Sequence, residues 1–280
     1  MRRAVLAVGA ALLLAGCTST VDGVASPAPV TAPTPGDDPM LEAPAVGTCH
    51  DVESAYEPLD VPDVVDCGDR HTAETAAVVD TGLAVDAAYP TQDDLDEGYL
   101  GDAYDEVCSY DTVDDYLRAG PGDLLYADYT QVLPTPEQWA RGARWVACDV
   151  TYGYSSPEPA PGRMAGVMES GDTAAYRACL VGDPVDNDVV PCSEPHWAER
   201  ISGYPDVPEG TPFPADQAAR AVIAEQCRPD AVDHLDGPLP PEVALDITTD
   251  DPADWASFPY PTCVLVAAGG GSTTGSFTDS

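Results

Sequence analysis

No lysine occurs anywhere in these 280 residues, and the 11 basic residues, all arginine, face 49 aspartates and glutamates. A formal charge of −38 repels polyanions at long range, which argues against nucleic acid and anionic headgroups as direct ligands. The nine cysteines include no C-x-x-C pair, so neither a thioredoxin-like redox centre nor a zinc ribbon is indicated. G-x-S-x-G, H-E-x-x-H, a phosphate-cradling glycine loop and EF-hand spacing are all missing. Without a loop spaced for it, the acidic excess reads as a solvated surface and not as a cation site. After the first 17 residues, no run is long and apolar enough to cross a bilayer.

What is present begins with Arg2-Arg3, the apolar run Ala4–Leu14 and Ala15-Gly16-Cys17, the three zones of a secretory signal. Leu14-Ala15-Gly16-Cys17 resembles a bacterial lipobox. Residues 1–16 are expected to be removed and Cys17 to carry diacylglyceryl and palmitate, which places the chain outside the cytoplasm on the outer face of the cell membrane. Two acyl chains anchor stably where one holds only marginally.

Residues 17–44 form a tether, in which Pro27, Pro29, Pro33, Pro35 and Pro39 oppose helix and sheet. A second Pro-rich break at 155–163 divides the remainder into 45–154 and 164–268, and the Gly/Ser-rich stretch 269–280 reads as a flexible tail. Removing Cys17 from the cysteine count leaves eight, expected as four disulfides in an oxidising compartment.

The two long segments repeat one another. Cys67-Gly-Asp-Arg-His71-Thr-Ala-Glu74 recurs as Cys192-Ser-Glu-Pro-His196-Trp-Ala-Glu199. Cys49 matches Cys179, Cys108 matches Cys227, Pro136 and Trp139 match Pro252 and Trp255, and Cys148 matches Cys263, all in order. Each copy reads as a small α+β domain with one main helix on a short, mostly antiparallel sheet. The first copy has strands Thr72–Asp80, Leu124–Leu133 and Arg144–Tyr152, a helix over Asp93–Ser109 and a turn at Pro134–Gly142. The second has strands Ala198–Tyr204, Val243–Thr248 and Thr262–Ala267 and a helix over Pro214–Cys227. About 100 residues make a marginal core, so the disulfides are needed. Two copies of one fold should repeat one pairing scheme, which leaves three possibilities per copy. The favoured one is Cys49–Cys67 with Cys108–Cys148, and Cys179–Cys192 with Cys227–Cys263, tying the helix to the last strand.

These marks, G-x-C, C-x-x-x-H-x-x-E, a helical Cys and W-x-x-G before a final Cys, resemble the actinobacterial septum-formation domain family, here as two tandem copies. The second copy departs from the pattern with Arg177-Ala178-Cys179 and Trp255-Ala256-Ser257-Phe258. The resemblance implies an envelope protein associated with cell division and brings no established chemistry with it.

His71 with Glu74, and His196 with Glu199, are the candidate reactive pairs. On a strand, positions three apart face opposite sides, so a structural role is expected, with the imidazole hydrogen-bonded in the core. A metal site would need His71 and His196 to meet across the copies. His50 and His234 lack counterparts and are expected at the surface. Trp139, Trp255 and Trp197 are either plugs of small cores or a platform for glycan or peptide. The resulting expectation is a non-catalytic binding or scaffolding lipoprotein without cofactor, whose partner is an envelope protein or cell-wall ligand. The alternative is an envelope enzyme or metal-dependent factor using His71 and His196.

Overall fold

Alternation of apolar and polar residues builds two five-stranded sheets in the computed structural model, which describes residues 38–53, 62–100, 102–154, 156–170, 173–249 and 251–279. The signal, Cys17 and the tether as far as residue 37 lie outside the described residues. The first half carries β1 (Cys49–Asp51), β2 (Asp63–Val65), β3 (Ala73–Asp80), α1 (Gln92–Asp96), α2 (Asp102–Val107), α3 (Tyr110–Leu117), β4 (Ala127–Val132), α4 (Pro136–Ala140) and β5 (Trp145–Tyr152). The second carries β6 (Ala178–Gly182), β7 (Asn187–Pro191), β8 (Ala198–Arg200), α5 (Gln217–Ala224), α6 (Arg228–His234), β9 (Val243–Ile247), α7 (Pro252–Trp255) and β10 (Cys263–Ala267).

The sheets have orders β2-β1-β3-β5-β4 and β7-β6-β8-β10-β9, the same topology twice, and every pairing is antiparallel. This is the expected α+β duplication, each half with helices laid on one sheet face. The expected helix over 93–109 is instead two short ones, α1 and α2, with α3 following beyond its expected end. α1 stops at Glu97-Gly98, where Gly98 takes φ 79°, and α3 restarts from Ser109, whose side chain accepts the Thr112 N–H. In the second half the helical path runs past Cys227 into α6. The expected turn at 134–142 contains α4, entered through a capping box between Thr135 and Gln138.

Val113 and Leu117 of α3 pack on Val150 and Tyr152, and Ala224, Cys227 and Ala231 pack on Leu245, Ile247 and Leu265. Each such fully buried aliphatic side chain contributes about 1.5–3 kcal/mol. Four disulfides join Cys49 to Cys67, Cys108 to Cys148, Cys179 to Cys192 and Cys227 to Cys263. The second of each pair of bridges ties the helical layer to the last strand.

The halves are stitched together by backbone. The segment leading into β4 pairs with the second half: Ala178 N–H donates to Leu124 O, Tyr126 N–H to Tyr176 O and Ser202 N–H to Gly122 O. From residue 156 onward the break is likewise part of the body. Glu158 N–H donates to Tyr152 O and Ala160 N–H to His71 O, so this stretch covers the first sheet. Its counterpart is the stretch expected to be a flexible tail. There Thr273 and His196 exchange both backbone bonds and Gly275 N–H donates to Cys192 O, because an open strand end left by β8 and β10 supplies partners that composition does not reveal.

Candidate functional site

His71 and Glu74 meet, contrary to the expectation of opposite faces. β3 begins only at Ala73, so His71 escapes strand periodicity. Its Nδ1 lies 3.1 Å from Asp69 O and its Nε2 3.2 Å from Glu74 Oε1. Glu74 itself is fully buried in the strand at the centre of the sheet, across from Cys49 and Val150.

That carboxylate is occupied by the protein's own donors. Oε1 accepts the Met164 N–H at 2.8 Å, Oε2 accepts the Tyr116 hydroxyl at 2.6 Å, and Arg163 Nε stands 3.7 Å away. Burial, then the bond to Glu74, pushes the Tyr116 phenol well above its ordinary range. Glu199 does the same work in the second half. It accepts the Phe277 N–H on Oε2 at 2.7 Å, and on Oε1 the Ser276 hydroxyl at 2.7 Å and His234 Nε2 at 3.0 Å. In both copies the motif glutamate therefore holds the segment that follows the last strand.

His234 is buried, not superficial. It follows Cys227 by seven positions, two helical turns, so it shares the inward face of that half-cystine; this spacing is the signal that could have placed it. The ring bridges the halves, with Nδ1 3.0 Å from Asp123 Oδ1 of the first and Nε2 on Glu199 of the second. Arg177 also pairs with Asp123. Burial opposes protonation of His234, but the bonds to Asp123 and Glu199 outweigh it and raise its pKa. Burial would raise Asp123 and Glu199; the hydrogen bonds and charges around them, His234 foremost, hold both below the usual carboxylate range. A cavity of about 560 Å³, lined in part by Gly120, Pro121, Asp123, Arg177 and Asp236, opens over this network.

His50 is also buried, its Nε2 3.0 Å from Thr75 Oγ1 and 3.6 Å from Asp149 Oδ2. Burial pushes Asp149 up to about 7 and pushes His50 down. No sequence signal beyond the neighbouring Cys49 marks His50.

The remaining candidates are settled by their surroundings. Trp139 and Trp255 are buried plugs, their indole N–H groups donating to Ala87 O and Thr211 O. His71 groups with Cys49 and Glu74, and His196 with Cys179 and Cys192, in separate clusters of donor atoms each within 4.8 Å. The sulphurs are disulfide-bonded and lack the thiolate charge a metal needs. Exposed aromatics lie elsewhere: Phe258 is 74% exposed, its ring 6.2 Å from that of Tyr260 and nearly parallel, and Tyr204 lies 5.1 Å from Tyr260. Phe258 occupies the position where the first copy has Gly142 of W-x-x-G, so the row belongs to the second half alone.

No curated protein and no solved structure matches the chain. Residues 46–256, one continuous stretch through both halves and not a separate match for each, fit the family described as septum formation, and the chain belongs to that family.

Proposed function

We propose that the protein is a non-catalytic, lipid-anchored envelope factor of septum formation, which holds a rigid double-sheet body away from the membrane for a division or cell-wall partner to bind. The observation that carries this reading is the use of both motif glutamates, Glu74 and Glu199, as internal locks saturated by Met164, Tyr116, Phe277, Ser276 and His234. A carboxylate so engaged serves the fold and leaves little for a substrate. The exposed row of Phe258, Tyr260 and Tyr204 supports a binding role, since aromatic side chains supply most of the anchoring at protein interfaces. Lipid on Cys17 and the Pro-rich 17–44 stretch would set the body tens of Å, roughly, from the bilayer.

The test is complementation of a depletion strain, read as septum placement and cell length, with palmitate incorporation measured in parallel. Wild type is expected to take up label and restore division. Cys17→Ala should take up none and fail to restore it. Equal labelling of the two would remove the anchor from this reading, and normal division in the depleted cells would remove the process. Stoichiometric zinc binding by the oxidised protein, lost in His71→Ala or His196→Ala, would favour the metal-dependent alternative.

A further inference from the structure

Seven of the eight bridged cysteines are buried, and Cys67 is the exception. Its partner Cys49 is fully buried. The Arg163 guanidinium lies against both sulphurs, with Nη1 donating to Cys67 Sγ and standing 3.1 Å from Cys49 Sγ and 2.9 Å from Gly47 O. None of this is repeated in the other half. Cys179–Cys192 is buried at both ends, and Ser276, which stands before Phe277 as Arg163 stands before Met164, is turned to Glu199 instead.

We propose that Cys49–Cys67 is a thiol–disulfide exchange site, which takes an incoming thiolate on Cys67 and releases Cys49 as the thiolate. The step is an in-line displacement. The thiolate R–S⁻ bonds to Cys67 Sγ, the Sγ–Sγ bond breaks, and its electron pair leaves on Cys49 Sγ, giving R–S–S–Cys67 and Cys49–S⁻ with no net oxidation. Exposure selects Cys67 as the sulphur attacked. Attack on Cys67 makes Cys49 the leaving group, and the guanidinium, which touches both sulphurs, lowers the pKa of the departing thiolate and speeds its release. The Glu74 carboxylate, also within 4.8 Å of Cys49, opposes that charge. Its effect is blunted by the Met164 N–H and the Tyr116 hydroxyl, whose hydrogen bonds it accepts, and by the Arg163 guanidinium 3.7 Å away.

The ligand class follows from the surroundings. Asp66 and Asp69 flank Cys67, both exposed, on a chain of strongly negative charge, so cationic or neutral thiols should react in preference to anionic ones. The released Cys49 would sit against Arg163 on the segment that covers His71, so exchange would mark the first half without opening the buried bridges of the second.

The experiment treats the full oxidised chain with cysteamine, a cationic monothiol, under native conditions. Free thiols are trapped at intervals with N-ethylmaleimide and the products mapped by mass spectrometry. Cysteamine should appear on Cys67 and the trap on Cys49, at a rate at least about tenfold above opening of Cys179–Cys192 in the same molecules. Arg163→Ser should slow the step by about the same factor and Arg163→Lys should retain most of it. Opening of all four bridges together, the adduct on Cys49, or an unchanged rate in Arg163→Ser would each overturn the proposal. The comparison of two bridges within the wild-type chain keeps the test valid if Arg163→Ser does not fold.

Discussion

Glu199 accepts the backbone N–H of Phe277 at 2.7 Å, so a carboxylate from the motif in the middle of the second half fixes the last turn of the chain. The same group takes bonds from Ser276 and His234. Removing it takes the acceptor from the partly buried Phe277 N–H and one of the two carboxylate partners from the buried His234 ring, which keeps only Asp123. Glu199→Ala should cost about 3–5 kcal/mol, and Glu199→Gln, which keeps an acceptor but loses the charge, should cost less. Urea unfolding at pH 6 measures both, and equal losses would show that the charge contributes nothing.

Truncation after Ala268 tests the docked end directly. It deletes the backbone exchange of Thr273 with His196, both bonds from residues 276 and 277 to Glu199, and the packing of Phe277 on the Trp255 core. A loss of roughly 3 kcal/mol is expected. A stretch that merely trailed in solvent would give none.

β3, β5 and β10 were legible because they are long or apolar and lie inside the sheet, and the order of the cysteines exposed the duplication. β1, β2, β6 and β7 were not, since they are only three to five residues long, too short to show a period, and β1, β2 and β7 also carry charged residues. The docked tail failed for a different reason: Gly269–Gly271 advertises flexibility, while the acceptor that holds residue 277 lies 78 positions earlier. The His–Glu contact failed on a single residue, the start of β3. Local rules report local conformation, and the site is built from distant contacts.

The bridge from Cys227 to Cys263 spans 36 residues and holds the helical layer on β10. On chain entropy alone it contributes about 4 kcal/mol. The double variant Cys227→Ala with Cys263→Ala should lose a stabilisation of that order in urea, and the first half, with Cys108–Cys148 intact, should lose less. Near-UV circular dichroism of Trp139 and Trp255 single-Trp variants would separate the halves.

His234 predicts a limit on the alkaline side. Its pKa is raised in the fold above the ordinary 6.5, so its stabilisation is complete below pH 6.5 and disappears as pH rises through the folded value. Asp123 and Glu199 act in the opposite sense: their pKa values are lowered, and their contribution is present above the ordinary carboxylate range and lost on acidification. Wild type should weaken as pH rises above about 6.5, and His234→Gln should be less stable at pH 6 with a flatter profile. A parallel profile in the variant would assign the alkaline loss to another group.

Asp149 gives the reverse result, a native acid whose removal should help. It is fully buried in β5, and burial lifts its pKa to about 7 despite the Thr75 hydroxyl 2.8 Å away. Burial pushes the pKa of the adjacent His50 down, so it supplies less compensating charge than an ordinary imidazole would. The fold thus retains a proton that the unfolded chain releases near 3.8, and stability falls as pH climbs from that value to about 7. At 1.36 kcal/mol per unit the loss is of order 4 kcal/mol. Val264 occupies the matching place across from Arg200 in β8, so the topology does not require an acid there. Asp149→Asn keeps the shape and the bond to Thr75 without the ionisation. Above pH 7 it should be the more stable protein by roughly 1–4 kcal/mol, and the two should converge near pH 4. Urea unfolding at pH 4.5 and 8 decides it: a variant less stable than wild type at pH 8 would mean that the fold favours the charged Asp149 carboxylate over the neutral one, with His50 as its protonated partner.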